Sequence, residues 1–428
     1  PWIMSGRITD VAVPKGSSYT IYVAVASGGV WKTTNDGTTW EPIFENESCL
    51  TVGDIAVADS DPDIIWVGGG ENNSSRSSYS GTGVFKSSDG GKSWRNMGLH
   101  DSHHIGRIVV HPKDPGIVYV AVIGHLFTIN EERGVFKTID GGNSWEKILY
   151  INDDTGIIDL VMDPSDPDTL YAAAWQRSRK AWDFVENGPG SGIHKTTDGG
   201  KTWKKLSNGF PEGSFVGRIG LDIAVSNPNI IYALLDNQAT SPEKKLAQER
   251  VDIKGAEVYK SFDKGETWTK VHEGYIDDLY SNIGYYFGQI RVDPKDENKV
   301  FILGVPLMLS ADGAKSFKKI EDSGVHTDHH ALWIDPKDSD HVIDGNDGGL
   351  NFSYDGGKTW KKINNMPLGQ FYAVNYDWEE PYNVYGGLQD NGVYYGPHTW
   401  LPGVSAPWKL LMGGDGVYVH VDPVDTDT

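Results

Sequence analysis

The residues with the clearest chemical potential in this sequence are carboxylates and histidines set beside glycine and asparagine. Glu71, Asp347 and Asp390 stand in Glu71-Asn-Asn, Asn346-Asp-Gly-Gly349 and Gln389-Asp-Asn-Gly392. Two carboxyl groups held roughly 5 to 9.5 Å apart are the apparatus of glycosidic hydrolysis, one as general acid and the other as nucleophile or base. Histidines gather at His103-His104 and at His326, Asp328, His329 and His330. Imidazole and carboxylate donors together suit zinc, manganese or nickel. His103, His104, Asp328, His329 and His330 are therefore a candidate site for a divalent metal, and no other cofactor is required. Spacing alone decides neither case. Asp-Gly and Asn-Gly dipeptides are ordinary turn chemistry, and no interlocking motif such as His-Glu-x-x-His is present. The outcome rests on whether the fold brings these distant segments together.

The elements that must position them are announced by a repeat. The pattern Ser/Thr-x-Asp-x-Gly-x-Ser/Thr-Trp occurs at Thr33–Trp40, Ser87–Trp94, Thr138–Trp145, Thr196–Trp203, Ser261–Trp268 and Ser353–Trp360. A weakened copy, Ser310–Phe317, has Ala314 for the glycine and Phe317 for the tryptophan. The third position is Asn35, Asp89, Asp140, Asp198, Asp263, Asp312 or Asp355. Such a side chain accepts hydrogen bonds from the amides that follow, glycine takes positive φ, and tryptophan opens the next strand and fills the gap below it. A short apolar run precedes each copy, and two more lie upstream around a Pro/Asp turn, as in Ile105–Val110, His111–Gly116 and Ile117–Ala121. Four strands, A to D, repeated about every 50 residues describe an all-β chain, a β-propeller of four-stranded blades. Blades start near residues 5, 52, 105, 156, 217, 288, 330, 370 and 414. That predicts at least eight blades, completed either as ten or as the first part of a tandem propeller. Residues 1–428 read as a single propeller unit, C-terminally incomplete, with further C-terminal domains in the full protein.

In a propeller the octapeptides (C–D turns) and the Pro/Asp turns (A–B) share one face, so B–C and D–A connections occupy the other. The long segments 71–79, 125–133, 176–191 and 236–255 fall there, and Pro242–Arg250 reads as a helical turn or two. Elaborated loops on a rigid scaffold mark the functional face. Trp175, Tyr286, Gln389, Asn391 and Asp415 are candidate ligand-binding residues on it. Along strand A, one register position holds Arg7, Asp54, Arg107, Asp159, Arg218 and Gln289. Alternating Arg and Asp predicts buried ion pairs between blades; the competing reading makes Arg107 part of an arginine cluster for an anionic ligand.

Composition narrows the partners. With 38 Lys+Arg against 59 Asp+Glu, the net charge is −21, which excludes a basic nucleic-acid groove. One cysteine excludes an intramolecular disulfide framework. No apolar run reaches the roughly 18 to 20 residues of a membrane-spanning helix. The chain opens at Pro1 without the basic and apolar regions of a leader, which reads as a leader removed or an internal fragment.

The octapeptide resembles the Asp-box, or bacterial neuraminidase repeat. Phrases such as Ala26-Ser-Gly-Gly-Val-Trp-Lys32, His103-His-Ile-Gly-Arg107, Asp328-His-His-Ala-Leu-Trp-Ile-Asp335 and Gly387-Leu-Gln-Asp-Asn-Gly392 resemble a family of large secreted bacterial proteins labelled sortilin/Vps10-like or "glycosyl hydrolase, BNR repeat". The resemblance covers essentially the whole chain and implies an exported propeller: extracellular, cell-surface or periplasmic. Two departures weigh against enzymatic relatives. Gly6-Arg-Ile-Thr9 lacks the proline of the sialidase phrase, and Ala26-Ser-Gly-Gly29 lacks the carboxylate that xyloglucanase-type enzymes place in a similar early strand. The expected function is a recognition or scaffold module binding a protein, peptide or carbohydrate polymer on the loop-rich face; the alternative is a glycoside hydrolase at the channel mouth.

Overall fold

The computed structural model describes residues 6–17, 19–241, 253–276, 279–281, 283–321, 324–399 and 408–423. The helical turn expected at 242–250 lies outside them. Eight four-stranded antiparallel sheets follow one another along the chain, each with its strands side by side in sequence order. Their inner strands are Ile8–Ala12, Val52–Ala58, Ile105–Val110, Thr155–Asp163, Val216–Ile223, Gln289–Val292, His329–Ile334 and Phe371–Tyr376, within a few residues of the expected starts. Residues 413–423 join no sheet, because no second strand pairs with them among the described residues. In the fourth blade a small ribbon, Ser178–Arg179 with Phe184–Val185, is inserted between strands B and C.

Strand B is covered on both faces and in several blades reads as an unbroken apolar run, as in Ile21–Val25 and Val118–Val122, buried throughout. Neighbouring blades share their cores: Trp66 of blade 2 packs with Ile105, Val118 and Phe136 of blade 3. The series closes at the seventh blade. Ile8, Val11 and Val23 form one cluster with Ala331, Ile343 and Phe352, and the first inner strand lies against the seventh. The eighth sheet stands outside that ring. It packs Phe371, Leu388, Tyr394 and Trp408 together and leaves Val374, Tyr376, Trp378 and Met412 exposed.

Three devices lock blade to blade. First, an inner-strand aspartate accepts a backbone N–H from the next blade: Asp10 from Ile55 at 3.2 Å, Asp54 from Ile108 at 2.7 Å, Asp159 from Leu221 at 3.0 Å and Asp222 from Val292 at 2.7 Å. Second, a strand-C lysine reaches forward to a carbonyl in the next octapeptide, Lys32 to Gly90 at 2.8 Å and Lys137 to Gly199 at 2.8 Å. Third, an octapeptide tryptophan bonds backward to the preceding blade: Trp94 to the Ile43 carbonyl at 2.6 Å, Trp145 to Met97 at 2.8 Å and Trp360 to Ile320 at 3.0 Å. The octapeptide itself is a closed turn. Asp140 accepts from the Thr138 hydroxyl at 2.8 Å, the Ser144 amide at 3.0 Å and the Ser144 hydroxyl at 2.6 Å. At the axis the inner strands approach so closely that a side chain at Gly106 would meet the Ile158 carbonyl at 2.5 Å. Such close approach accounts for the glycine before Arg107 and for Gly53 before Asp54, where a side chain would meet the Ile105 carbonyl at 2.3 Å, whereas Asp159 follows Ile158.

Candidate functional site at the ring closure

The first and seventh blades meet on the loop-rich face around Arg7. Its guanidinium forks onto Asp347, Nε to Oδ1 at 2.7 Å and Nη2 to Oδ2 at 2.9 Å, while Nη1 donates to Glu71 at 2.5 Å. Asp390 lies 3.6 Å from Nη2. The Tyr286 ring sits under the guanidinium, 4.8 Å away; its hydroxyl donates to Asp347 at 3.0 Å and accepts from Gln389 at 3.0 Å. His330 Nε2 contacts Asp347 at 2.8 Å. Asn391 donates to the Asp347 carbonyl at 3.0 Å and Ser77 to Gln389 at 3.1 Å. Six segments thus converge: the start of strand A in blade 1, the B–C loop of blade 2, the connection before strand A of blade 6, the start of strand A and the B–C turn of blade 7, and the B–C turn of the eighth sheet.

Burial differs across this network and sets its electrostatics. Arg7, Glu71 and Asp347 are buried, whereas the Asp390 side chain is 29% exposed. Burial works to raise the Asp347 carboxyl, but the charges of Arg7 and His330 hold it well below the usual carboxylate range. For Asp390, burial together with the hydrogen bond to Asp347 and its charge push the carboxyl up to about 8, against the pull of Arg7. The two aspartates are split into one ionised, enclosed partner and one that keeps its proton at neutral pH and opens to solvent. A pair separated in this way assigns acid and base roles by environment alone. Asp415, exposed, accepts the Asp390 backbone N–H at 3.0 Å. Glu71 keeps one oxygen, Oε2, buried and without a hydrogen-bond partner among the described residues.

Known proteins share this architecture. The chain is a β-propeller. A profile of the family described as "Sortilin, neurotensin receptor 3" (Sortilin-Vps10) matches residues 82–250, so the sortilin/Vps10-like resemblance of the repeats holds. Xyloglucanase Xgh74A of Acetivibrio thermocellus is 23% identical over 188 residues, covering 41% of this chain and 20% of its own length. A protein of Neosartorya fischeri described as a "probable oligoxyloglucan-reducing end-specific xyloglucanase" is 22% identical over 359 residues, 78% of this chain and 33% of that one. The propeller thus spans a third or less of the length of these relatives. Among solved structures, an ancestral GH74 enzyme superposes with a TM-score of 0.66 at 18% identity, covering 92% of this chain and 53% of that chain. The GH74 enzyme of Niastella koreensis gives 0.62 at 16%, with 97% and 68% coverage. YCF48 bound to D1 peptide gives 0.51 at 14%, with 82% and 94% coverage.

Within the propeller, several expected residues meet and several do not. Glu71, Asp347, Asp390, Tyr286, Gln389, Asn391 and Asp415 come together at the ring closure. Trp175 does not join them: it is fully buried, donating to the Glu186 carbonyl at 2.8 Å, with Arg177 and Arg218 over its ring. Arg107 lies deeper along the axis, paired with Asp54 at 2.8 Å and Asp159 at 3.1 Å. It lines a cavity of about 380 Å³ with Asp10, Arg291, Pro294, Trp333 and Pro336, and the two prolines belong to A–B turns on the opposite face. The five expected metal residues share no point in space. His104 contacts the Glu71 carbonyl at 2.7 Å, His329 is held between Asp344 at 2.7 Å and Glu321 at 3.0 Å, and His330 serves Asp347. Asp328 is raised by burial and by the nearby Asp347 charge. His103 faces elsewhere, against Asp101 and His125. The hub itself, Arg7, appeared in the sequence only as one member of the strand-A register; its Gly-Arg-Ile context marked it, but its partners come from loops that no spacing connects.

Proposed function

We propose that this propeller receives a carbohydrate polymer on its loop-rich face at the ring closure, as the recognition part of a larger exported protein. The observation that carries this reading is Asp390: a half-open carboxyl, neutral at pH 7, backed by an ionised and fully enclosed Asp347. A neutral carboxyl offers a sugar hydroxyl both a donor and an acceptor, and Asn391 and Asp415 flank it with further polar groups. Relatives named as xyloglucanases support a glycan rather than another polymer as the ligand. The exposed Val374, Tyr376, Trp378 and Met412 of the eighth sheet support further domains beyond it.

A second reading, glycosidic hydrolysis, is favoured by the same protonated carboxyl. Asp390 would deliver its proton to the leaving oxygen, and the second carboxylate would be Asp415 or a group of a domain facing it. Affinity gels on a glycan panel, followed by reducing-sugar release, separate the cases. Binding without release supports recognition alone. Release that Asp390→Asn abolishes while binding persists supports hydrolysis by Asp390. Failure to bind any glycan overturns both and leaves a protein or peptide as partner.

A further inference from the structure

A second cluster lies beside the ring closure and uses residues that the carboxyl network leaves aside. The turn entering blade 3 supplies Asp101 and His103, and the loop after its second strand, Val118–Val122, supplies His125. His125 Nε2 lies 2.9 Å from Asp101 Oδ1, and His103 Nε2 lies 3.8 Å from the same oxygen. The two imidazoles stack with centroids 3.6 Å apart and planes 20° apart, so both Nε2 atoms are aimed at the carboxylate side by side. One donor atom from each of the three residues falls within a 4.8 Å sphere of mutual separation.

The surroundings fix the donors. His125 Nδ1 is engaged by the Thr128 hydroxyl at 2.8 Å, so Nε2, the atom set against Asp101, is the one turned to the shared point. Asn130 donates to the Asp101 carbonyl at 3.1 Å and accepts from the His125 amide at 3.0 Å, tying the two loops together. The His125 carbonyl is gripped by the buried Arg133 at 2.9 Å. A hydrogen bond to the far ring nitrogen, as from Thr128, orients a metal-binding imidazole, and the backbone bonds hold the loop that carries it. His103 adopts φ 55 and ψ −45, a conformation that costs an L-residue energy and that turns its ring outward while His104, the next residue, turns inward to Glu71.

We propose that Asp101, His103 and His125 bind a divalent transition metal of the zinc class. Ligands to one zinc sit about 3 to 3.5 Å from one another, given metal bonds near 2 Å, and the separations present bracket that range. Two imidazoles with one carboxylate favour zinc, cobalt or nickel over magnesium or calcium, which prefer an all-oxygen shell. All three side chains remain partly open to solvent, so a bound ion would keep a coordination position open to water.

The test uses the tag-free chain. Equilibrium dialysis against zinc is expected to load one ion per chain in wild type and in His329→Gln, and none at this position in His103→Ala/His125→Ala; magnesium and calcium should not compete. Labelling of His103 and His125 by diethylpyrocarbonate, read by mass spectrometry on wild type, should fall when zinc is added. Loss of zinc from a folded His329→Gln variant, retention of the full stoichiometry by the folded double variant, or labelling unchanged by zinc overturns the proposal. Because the labelling arm needs no variant, a double variant that fails to fold leaves the test intact.

Discussion

Arg7 and Asp347 lie 340 positions apart in sequence and join through two parallel hydrogen bonds of 2.7 and 2.9 Å at the seam where the ring closes. Both are buried, so neither charge has water to fall back on. Breaking a buried pair by removing one partner costs about 3 to 5 kcal/mol. Arg7→Ala is therefore expected to lower the urea midpoint by that measure, leaving Asp347 and Glu71 uncompensated, and a midpoint equal to wild type would show that the ring does not depend on this contact. Replacing both, as Arg7→Met with Asp347→Leu, should recover part of the loss.

Stability should fall as pH rises from the mildly acidic range through neutrality to about 9. The folded Asp390 carboxyl titrates at about 8 rather than 3.8, so its contribution is fully present below 3.8 and is lost as pH rises through about 8. His329 behaves alike: burial works to lower it, but Asp344 and Glu321 raise it from 6.5 to about 9, and its contribution disappears as pH rises through that value. Asp347, held low, acts in the opposite sense and matters only on strong acidification. Denaturation midpoints followed from roughly pH 5 to pH 9 should decline in wild type and decline less in Asp390→Asn. Superimposable pH curves would contradict the assignment.

Two buried arginines should respond in opposite ways to the same change. Arg107 balances Asp54, Asp159 and, at 3.8 Å, Asp10. Arg177 is more deeply placed, and among the described residues its Nη groups hydrogen-bond only to the Leu126 and Gly124 carbonyls, at 3.3 and 3.5 Å; burial together with the neighbouring Arg133, Arg179 and Arg218 charges lowers it well below the ordinary arginine range. Arg107→Met is expected to destabilise by a few kcal/mol because it strands carboxylates, whereas Arg177→Met should be near neutral or stabilising. Thermal melts of the two variants side by side decide the point.

The octapeptide predicts a graded substitution series. Asp140 uses both oxygens to accept from Thr138 and Ser144. The first copy carries Asn35 in its place, and Asn35 still accepts the Thr39 amide at 2.9 Å and donates to the Thr39 hydroxyl at 2.9 Å. Asp140→Asn should accordingly keep the melting temperature near that of wild type, and Asp140→Ala should lower it. Equal losses in both would mean that charge, not hydrogen-bond geometry, closes the turn.

Much of this architecture could be read before any coordinates because its signals are local. A turn with obligatory Asp, Gly and Trp, repeated with three upstream apolar runs, states strand number and order directly, and the inner strands follow the expected starts. Alternation of Arg and Asp along strand A also announced the Arg107 pairs. Closure was not legible in the same way. Whether blade 1 meets blade 7 or a later one depends on the accumulated angle between blades, which no single repeat encodes. The site suffered likewise: Glu71, Asp347 and Asp390 were visible as carboxylates in turns, but the binding of two of them to Arg7 is a product of closure. His103 was singled out with His104, its neighbour in sequence, whereas its partner in space is His125 from another loop.

Because Trp94, Trp145 and Trp360 each fasten to the carbonyl that ends the preceding blade's outermost strand, the module that could be copied or excised cleanly from the gene is not the four-stranded sheet. It is a frame shifted by one strand, running from the outermost strand of one sheet to the octapeptide tryptophan of the next. A duplication cut at sheet boundaries would separate these three indoles from their anchors, whereas one cut just after the octapeptide tryptophan would carry the fastening with it.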